Sequence, residues 1–412
     1  MNKKIDKRLP RETGKDVMPE HAAIKTPWEK LVSYHDAAHY ANRYNAVISA
    51  AMLQALRILV PDYVERVKAM CKNAYDRVKT PFLTPYGEMM KDDLNTHPFF
   101  RGNFVGAQVG DFGDECLLMC GRVNDFGTYR VEKELDTCPW DILGSEMGRA
   151  TTQSLLGSAD GLATWLPSGP KLDYHMVEAK CCGDLHCRVV AESRDKFPMP
   201  PHEQWECYGP IATDDQIKFT PEEDCMKEPM VFQEDCNYKY VNGTCMESDS
   251  KSLYPMTYQS NGTCYITPTI NDLINDGTVD EKFADHVIKC VCEAAGKAAF
   301  GEFYSKEGLR SWLGVPRDID DGRVMGAHIE MYLQSMIADY TVEAFNADEV
   351  IYVIDRTNLS FAGPRYIDAL ISTWYGMTKT LVNAQWALWE EAGETSEDQL
   401  RIKIAKKVDK LC

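Results

Sequence analysis

The stretch that decides the fold is residues 128–155, TYRVEKELDTCPWDILGSEMGRATTQSL. Its first eight residues are β-rich in character, and Cys138-Pro139-Trp140-Asp141 then opens a segment with helical character that runs to about Leu166. A proline suits the first position of a helix, because its missing N–H has no partner there in any case. The stretch therefore predicts a strand, a short connection and a helix.

Neighbouring segments extend this unit into a sheet. CLLMCGRV at 116–123 precedes the strand, and the turn signal NDFG separates the two. A second pair, HMVEAKC and HCRVVAES, flanks Cys182-Gly183-Asp184, which indicates a β-hairpin. The region from Trp28 to Lys79 has helical periodicity. We therefore expect a helix-covered antiparallel sheet, which belongs to the α+β class.

The segment after this sheet has a different character. Residues 208–270 are acidic and contain two NGTC tetrapeptides, which begin at Asn242 and Asn261. Because Asn-Gly is a strong hairpin signal, two hairpins are expected in an inserted module or linker. Helical periodicity returns from about Asp280, again over 321–345 and over 365–391, with one β-like run, EVIYVID, at 349–355.

The run from 349 to 381 repeats the order of strand, proline-containing connection and helix seen at 128–155. Either the chain holds an internal duplication of one α+β domain, or two common units coincide. The expected organisation is a flexible arm at 1–28, a ligand-binding-like α+β domain at 29–207, the hairpin module at 208–270, and a second, mainly helical α+β domain at 271–412.

Composition excludes several classes of protein. The 412 residues carry a formal charge of −18, which repels polyphosphate, and no compact basic patch compensates, so no nucleic acid is expected as a partner. No apolar run reaches the length of a membrane span, and the polar start lacks the apolar core of a secretion signal. We therefore expect a cytoplasmic protein whose 15 cysteines are reduced thiols.

The densest chemical cluster is EAKCCGDLHCR at 178–188. Cys182 and Cys187 face each other across the expected turn, with Asp184 and His186 between them. Thiolates with a carboxylate or an imidazole suit Zn²⁺. Alternatively, His186 deprotonates one of the thiols to make a nucleophile, or the thiols simply pack in the protein interior.

The run CCGDLHCRVVAE, together with the upstream Cys138-Pro139-Trp140, resembles the 4-vinyl-reductase-type ligand-binding domain. That domain also forms the sensory half of phenol- and xylene-responsive regulators. The run resembles, more distantly, the ending of the L-2-amino-thiazoline-4-carboxylate hydrolase family. The resemblance covers about residues 105–195 and implies a small-molecule-binding α+β domain.

The resemblance also implies a zinc site. In the sensor domains, two hairpin cysteines, the cysteine before the helix and an upstream glutamate hold the metal. Cys187 and Cys138 match two of these positions, and Glu115 is the matching glutamate. The remaining hairpin position falls on Ala179, which cannot bind a metal, so Cys182 or its neighbour Cys181 takes that role.

A second candidate metal site is His35-Asp36-Ala37-Ala38-His39, whose two histidines are spaced to share one face of a helix. An ordinary helix surface or core edge is the favoured interpretation, because two histidines at this spacing arise easily by chance. Near the hairpin, Trp140 is a candidate for lining a pocket for a ring-shaped ligand. Arg149 either pairs with Glu146 on the surface or holds a substrate carboxylate.

Two functions follow from these patterns. The first is a cytoplasmic hydrolase of a small cyclic substrate, with Cys182, Asp184, His186 and Cys187 as catalytic residues. The second is a non-catalytic sensor or carrier of a small aromatic ligand with a structural zinc. Either way the expected partner is a small molecule, homodimerisation is left open, and no nucleotide cofactor is indicated, because no Walker-type glycine-lysine motif occurs over 200–412.

Overall fold

The computed structural model describes residues 23–79, 121–125, 130–135, 172–180, 183–185, 187–193, 238–241, 245–248, 263–302, 305–335, 338–356, 359, 364–391 and 396–407. The helices in these ranges are α1 (Tyr34–Leu59), α2 (Tyr63–Lys79), α3 (Thr263–Asn275), α4 (Glu281–Glu302), α5 (Lys306–Leu313), α6 (Arg323–Ser335) and α7 (Pro364–Leu381). The strands are β1 (Ala23–Lys25), β2 (Leu31–Ser33), β3 (Gly121–Asp125), β4 (Arg130–Leu135), β5 (Leu172–Glu178), β6 (Cys187–Ser193), β7 (Tyr238–Val241), β8 (Cys245–Ser248), β9 (Tyr340–Phe345), β10 (Glu349–Asp355), β11 (Trp386–Glu390) and β12 (Gln399–Lys406).

The chain divides into two compact units. The first consists of Met1–Met18 with Val60–Leu253, and the second of Pro19–Leu59 with Tyr254–Cys412. This division differs from the expected one, because α1 packs with α3, α4 and α6 in the second unit rather than within a domain at 29–207. Part of the expected arm is also ordered, since β1 pairs with β2.

Each unit contains a four-stranded antiparallel sheet, and the α+β class expected from the sequence is confirmed. The first sheet has the order β3-β4-β6-β5, and the second has the order β9-β10-β12-β11. Within each sheet the strands are therefore arranged first, second, fourth, third along the chain. The internal duplication stays a prediction, because a shared strand order alone does not test it.

The region around 208–270 contains one hairpin and one helix among its described residues. β7 and β8 pair antiparallel on either side of Asn242, as expected. The second expected hairpin, at Asn261, is wrong because α3 begins at Thr263. The physical reason is that Ile266, Ile270 and Leu273 recur at helical spacing, and all three are buried.

The core of the second unit lies between its sheet and its helices. The two central strands pair with Val350 opposite Ile404, so that alternate residues share one face. The buried side chains on that face are Val350, Tyr352, Ile354, Leu400, Ile402 and Ile404. Helix α6 lies on this face, where a Cβ added at Gly326 would be 2.9 Å from the Val350 side chain.

Helices α4 and α7 approach each other closely at two glycines. A Cβ atom at Gly296 would lie 2.1 Å from the carbonyl oxygen of Thr373, and one at Gly376 would lie 2.1 Å from that of Glu293. Ordinary van der Waals contact needs 3.4–4 Å. The two backbones therefore touch at distances that only glycine permits.

Arg356 joins three strands at one end of the second sheet. β10 finishes there and β12 begins there, with Asp355 opposite Gln399. The Arg356 backbone N–H donates to the carbonyl oxygen of Asp398 at 2.9 Å, and its Nε donates to that of Gln399 at 3.1 Å. Its guanidinium group also forms an ion pair with Glu390, the last residue of β11. We call this group the Arg356 clamp.

Among the described residues, no helix is both long enough and apolar enough to cross a membrane.

Candidate functional site at one end of the first sheet

The hairpin between β5 and β6 has a compact loop that Asp184 stabilises. The Ala179 N–H donates to Oδ2 of Asp184 at 2.7 Å, and the Asp184 N–H donates to the Ala179 carbonyl oxygen at 3.3 Å. The Gly183 N–H donates to the carbonyl oxygen of Lys180 at 3.0 Å, and Gly183 has a φ of 104°, which favours glycine. One carboxylate oxygen of Asp184 thus has a structural role in the loop.

The tip of this loop faces solvent. Asp184 is exposed, and the Leu185 side chain is 90% exposed. The Asp184 side chain therefore lies at the solvent-exposed tip of the hairpin.

The strand register places one end of each of the four strands, and the three chain segments that join them there, at the same end of the first sheet. Cys187, the first residue of β6, lies opposite Leu135, the last residue of β4. Leu135 also pairs with Gly121, the first residue of β3, and Glu178 at the end of β5 lies next to the start of β6. The segments before β3, after β4 and between β5 and β6 therefore all join the sheet at this end.

Most of the predicted site residues lie outside the described residues. They are Glu115, Cys138, Trp140, Arg149, Cys182 and His186. The backbone of Cys187 is described at the start of β6, and Asp184 is described in full. Within the described ranges, no group of three or more His, Cys, Asp and Glu side chains could hold a metal ion.

The alternative histidine pair lies on a helix, as its spacing predicted. His35 and His39 both fall in the first turns of α1. Their side chains are outside the described part of the chain, so metal binding by this pair stays a prediction.

Sequence reasoning missed a buried polar cluster in the second unit. The hydroxyl groups of Tyr332 and Tyr366 each donate to Oδ1 of Asn45 at 2.8 Å, and the two hydroxyls lie 2.9 Å apart. All three residues are buried, and burial raises the pKa of Tyr332 far above its ordinary value. The aromatic residues gave no signal because tyrosine is common in cores; the asparagine within the apolar run of α1 was the available hint.

His328 lies beside this cluster. Its imidazole packs edge-on against the Tyr44 ring, with the centroids 5.1 Å apart. Burial lowers the pKa of His328 to about 3, so the ring is neutral at physiological pH. A fully buried, neutral histidine in an aromatic setting is a core residue rather than a proton shuttle.

Glu330 lies on another face of the same helix, α6, and approaches the sheet. Its Oε1 accepts hydrogen bonds from the Tyr340 hydroxyl at 3.2 Å and from Gln334 Nε2 at 3.3 Å, and its Oε2 accepts one from the Tyr352 hydroxyl at 3.1 Å. Burial raises the pKa of Glu330, and these hydrogen bonds oppose that shift. His328 and Glu330 therefore lie in separate environments and do not form one site.

The two cysteines of α4 lie in different environments. Cys292 is buried, with its Sγ 4.0 Å from the Met52 sulfur, and burial raises its pKa to about 12. Cys290 is exposed, and its Sγ lies 3.7 Å from Nε2 of His286. Cys292 thus packs in the core, whereas the Cys290 thiol is accessible to solvent.

Comparisons of the chain with protein-family models, with curated proteins and with solved structures find no match.

Proposed function

We propose that this chain is a small-molecule-binding protein whose first unit holds a zinc ion at the end of its sheet. The ligands are Glu115, Cys138, Cys182 and Cys187, and the ligand-binding region is the α+β unit around them. In this proposal the metal fixes the hairpin rather than taking part in a reaction. The reduced thiols of such a site favour the cytoplasm.

The observation that supports this proposal most directly is the register of Cys187 opposite Leu135. Cys138 follows Leu135 by three residues, so its Cα atom lies at most about 11 Å from that of Leu135. Cys182 lies in the loop that leads into Cys187, and Glu115 precedes β3 at the same end of the sheet. Chain connectivity thus allows all four side chains to reach one point.

The chemistry of the donors also fits zinc. Three thiolates and one carboxylate supply the four ligands of a tetrahedral site, and Zn²⁺ accepts both sulfur and oxygen. A site closed by four protein ligands has no open position for a water molecule, which is the usual difference between structural and catalytic zinc. This arrangement favours binding over hydrolysis.

The role of Asp184 supports the same choice. Its Oδ2 holds the hairpin loop through the Ala179 N–H, and the residue is exposed to solvent. The alternative function, a hydrolase of a small cyclic substrate, uses Cys182, Asp184, His186 and Cys187 as the catalytic group. It needs an enclosed site in which these groups contact the substrate.

Elemental analysis after anaerobic purification and dialysis against metal-free buffer tests the zinc site. We expect about one tightly held zinc ion per chain, which Cys187→Ser should remove, because a closed thiolate site depends on every ligand. Cys245→Ser is the matched control, since it removes a thiol from the other hairpin of the same unit. A wild-type protein that is folded and free of metal would remove zinc from the proposal.

Ligand and substrate assays separate the two functions. With phenol as the probe, we expect saturable quenching of tryptophan fluorescence, and with L-2-amino-thiazoline-4-carboxylate we expect no turnover. Turnover that falls roughly 10²–10⁴-fold in His186→Gln would instead establish the hydrolase, because proton transfer by a positioned side chain contributes on that scale.

A further inference from the structure

Helix α4 presents a histidine and a cysteine together on its solvent-facing side. His286 and Cys290 are both exposed, and they are four residues apart, so they lie one above the other on the helix. The distance between Cys290 Sγ and His286 Nε2 is 3.7 Å. This pair belongs to the second unit, whereas the cysteine hairpin belongs to the first.

The separation of the two atoms matches that of two ligands on one metal ion. Zn–S bonds of about 2.3 Å and Zn–N bonds of about 2.0–2.1 Å, set at a tetrahedral angle, place sulfur and nitrogen about 3.6 Å apart. We propose that His286 and Cys290 form a chelating site for a borderline-soft divalent metal ion, with Zn²⁺ as the probe. Two solvent ligands complete the coordination.

The surroundings of the two side chains permit metal entry without a change of fold. The helix backbone already fixes both residues, so binding orders only two short side chains. Cys292, two residues on, offers a useful contrast, because burial raises its pKa to about 12 and keeps its thiol protonated. Of the two cysteines in α4, Cys290 alone combines solvent access with a neighbouring imidazole.

Metal binding exchanges water ligands of the ion for the two side chains. One Zn–S and one Zn–N bond form, four of the six water molecules leave the hydrated ion, and the thiol proton passes to the buffer. Binding therefore releases one proton from Cys290 and tightens as the pH rises.

Hydrogen exchange of α4 with and without zinc tests the site on the full-length protein. A ligand that binds only the folded helix slows exchange by a factor of one plus the ratio of free zinc to its dissociation constant. At 100 times that constant we expect exchange in the peptide 281–302 to slow about 100-fold. Wild-type protein whose α4 shows no zinc-dependent change would refute the site.

The variants identify the ligands. His286→Gln and Cys290→Ser should each abolish the protection, and both positions are exposed, so circular dichroism should be unchanged. The double variant Cys290→Ser with Ala294→Cys keeps the number of thiols but places the new one eight residues from His286, and it should also lose the protection. Cys187→Ser should keep it, which separates this site from the hairpin zinc. Protection that survives in Cys290→Ser would overturn the proposal.

Discussion

Replacing Gly376 by alanine should push helices α4 and α7 apart. The new Cβ would meet the carbonyl oxygen of Glu293 at 2.1 Å, whereas ordinary contact begins at 3.4 Å. The helices must therefore separate locally by about 1.3 Å or distort, since a backbone carbonyl cannot rotate away as a flexible side chain can. The reciprocal site, Gly296 against Thr373, lies in the same crossing.

The expected magnitude is the difference between two effects. Overpacking of a tight interface typically costs about 1–3 kcal/mol of stability. Alanine also favours a helix over glycine by about 1 kcal/mol, which opposes that loss. Because a backbone contact at 2.1 Å is severe, we expect an overpacking cost of about 2–3 kcal/mol. After the gain in helix propensity, the free energy of unfolding should decrease by about 1–2 kcal/mol.

Urea unfolding followed by circular dichroism measures this change, and hydrogen exchange locates it in α4 and α7. Ala294→Gly on the exposed face of α4 is the control for helix propensity alone, with an expected loss of about 1 kcal/mol. The double variant Gly296→Ala with Gly376→Ala should lose less than the sum of the single variants, because the first separation makes room for the second methyl group. A stabilised Gly376→Ala protein, or strict additivity, would refute the close-approach argument.

Two further predictions concern buried polar groups of the second unit. Burial raises the folded-state pKa of Glu330, so its contribution to stability is complete below the unfolded value of about 4.3 and is lost as the pH rises through the folded value. Glu330→Gln should therefore gain in urea midpoint relative to wild type between about pH 4 and pH 7, and a difference independent of pH would contradict this. Tyr366→Phe should lower the free energy of unfolding by about 1 kcal/mol, because it removes a buried hydrogen bond to Asn45. Asn45→Leu should lower it further, because both tyrosine hydroxyls lose their acceptor. Equal effects of the two variants would show that the hydroxyls do not depend on this acceptor.

Local periodicity predicted the elements whose hydrophobic pattern was strong. The run EVIYVID at 349–355 is β10 over the same residues, and the two strands that flank the cysteine hairpin were predicted to within three residues. EVIYVID consists almost wholly of apolar residues, so the sequence indicates this strand directly.

The predictions were wrong for elements whose conformation depends on tertiary contacts. Helix was expected over 365–391, but α7 ends at Leu381 and β11 follows at Trp386–Glu390. WALWE forms a strand because it pairs with β12, a partner that lies farther along the chain and that local propensity cannot reveal. The helical periodicity expected over 321–345 likewise ends before β9, because β9 pairs with β10.

For the candidate site too, features set by local sequence could be predicted and features set by side-chain contacts could not. The turn at Gly183 and the pairing of β5 with β6 followed from short-range signals, and they are confirmed. The approach of Cys182 to Cys187 stays a prediction, because Cys182 lies outside the described residues. The role of Asp184 in its own loop could not be told from a catalytic role, because both place a carboxylate near cysteines in the sequence. The close contact of α4 with α7 was also hidden, since Gly296 looks like any isolated glycine within a helical pattern.

The Arg356 clamp has a consequence for how the two halves respond to their surroundings. It closes one end of the second sheet with a guanidinium group, backbone carbonyls and Glu390, none of which needs a supplied metal or a reduced sulfur atom. If zinc closes the matching end of the first sheet, then chelators and oxidants open that end and leave the Arg356 clamp closed. Zinc starvation or peroxide would loosen the first unit while the Arg356 clamp still holds the second sheet. Limited proteolysis under those conditions should therefore cut the first unit and leave a resistant second unit, in which α1 stays associated with the segment from α3 onward.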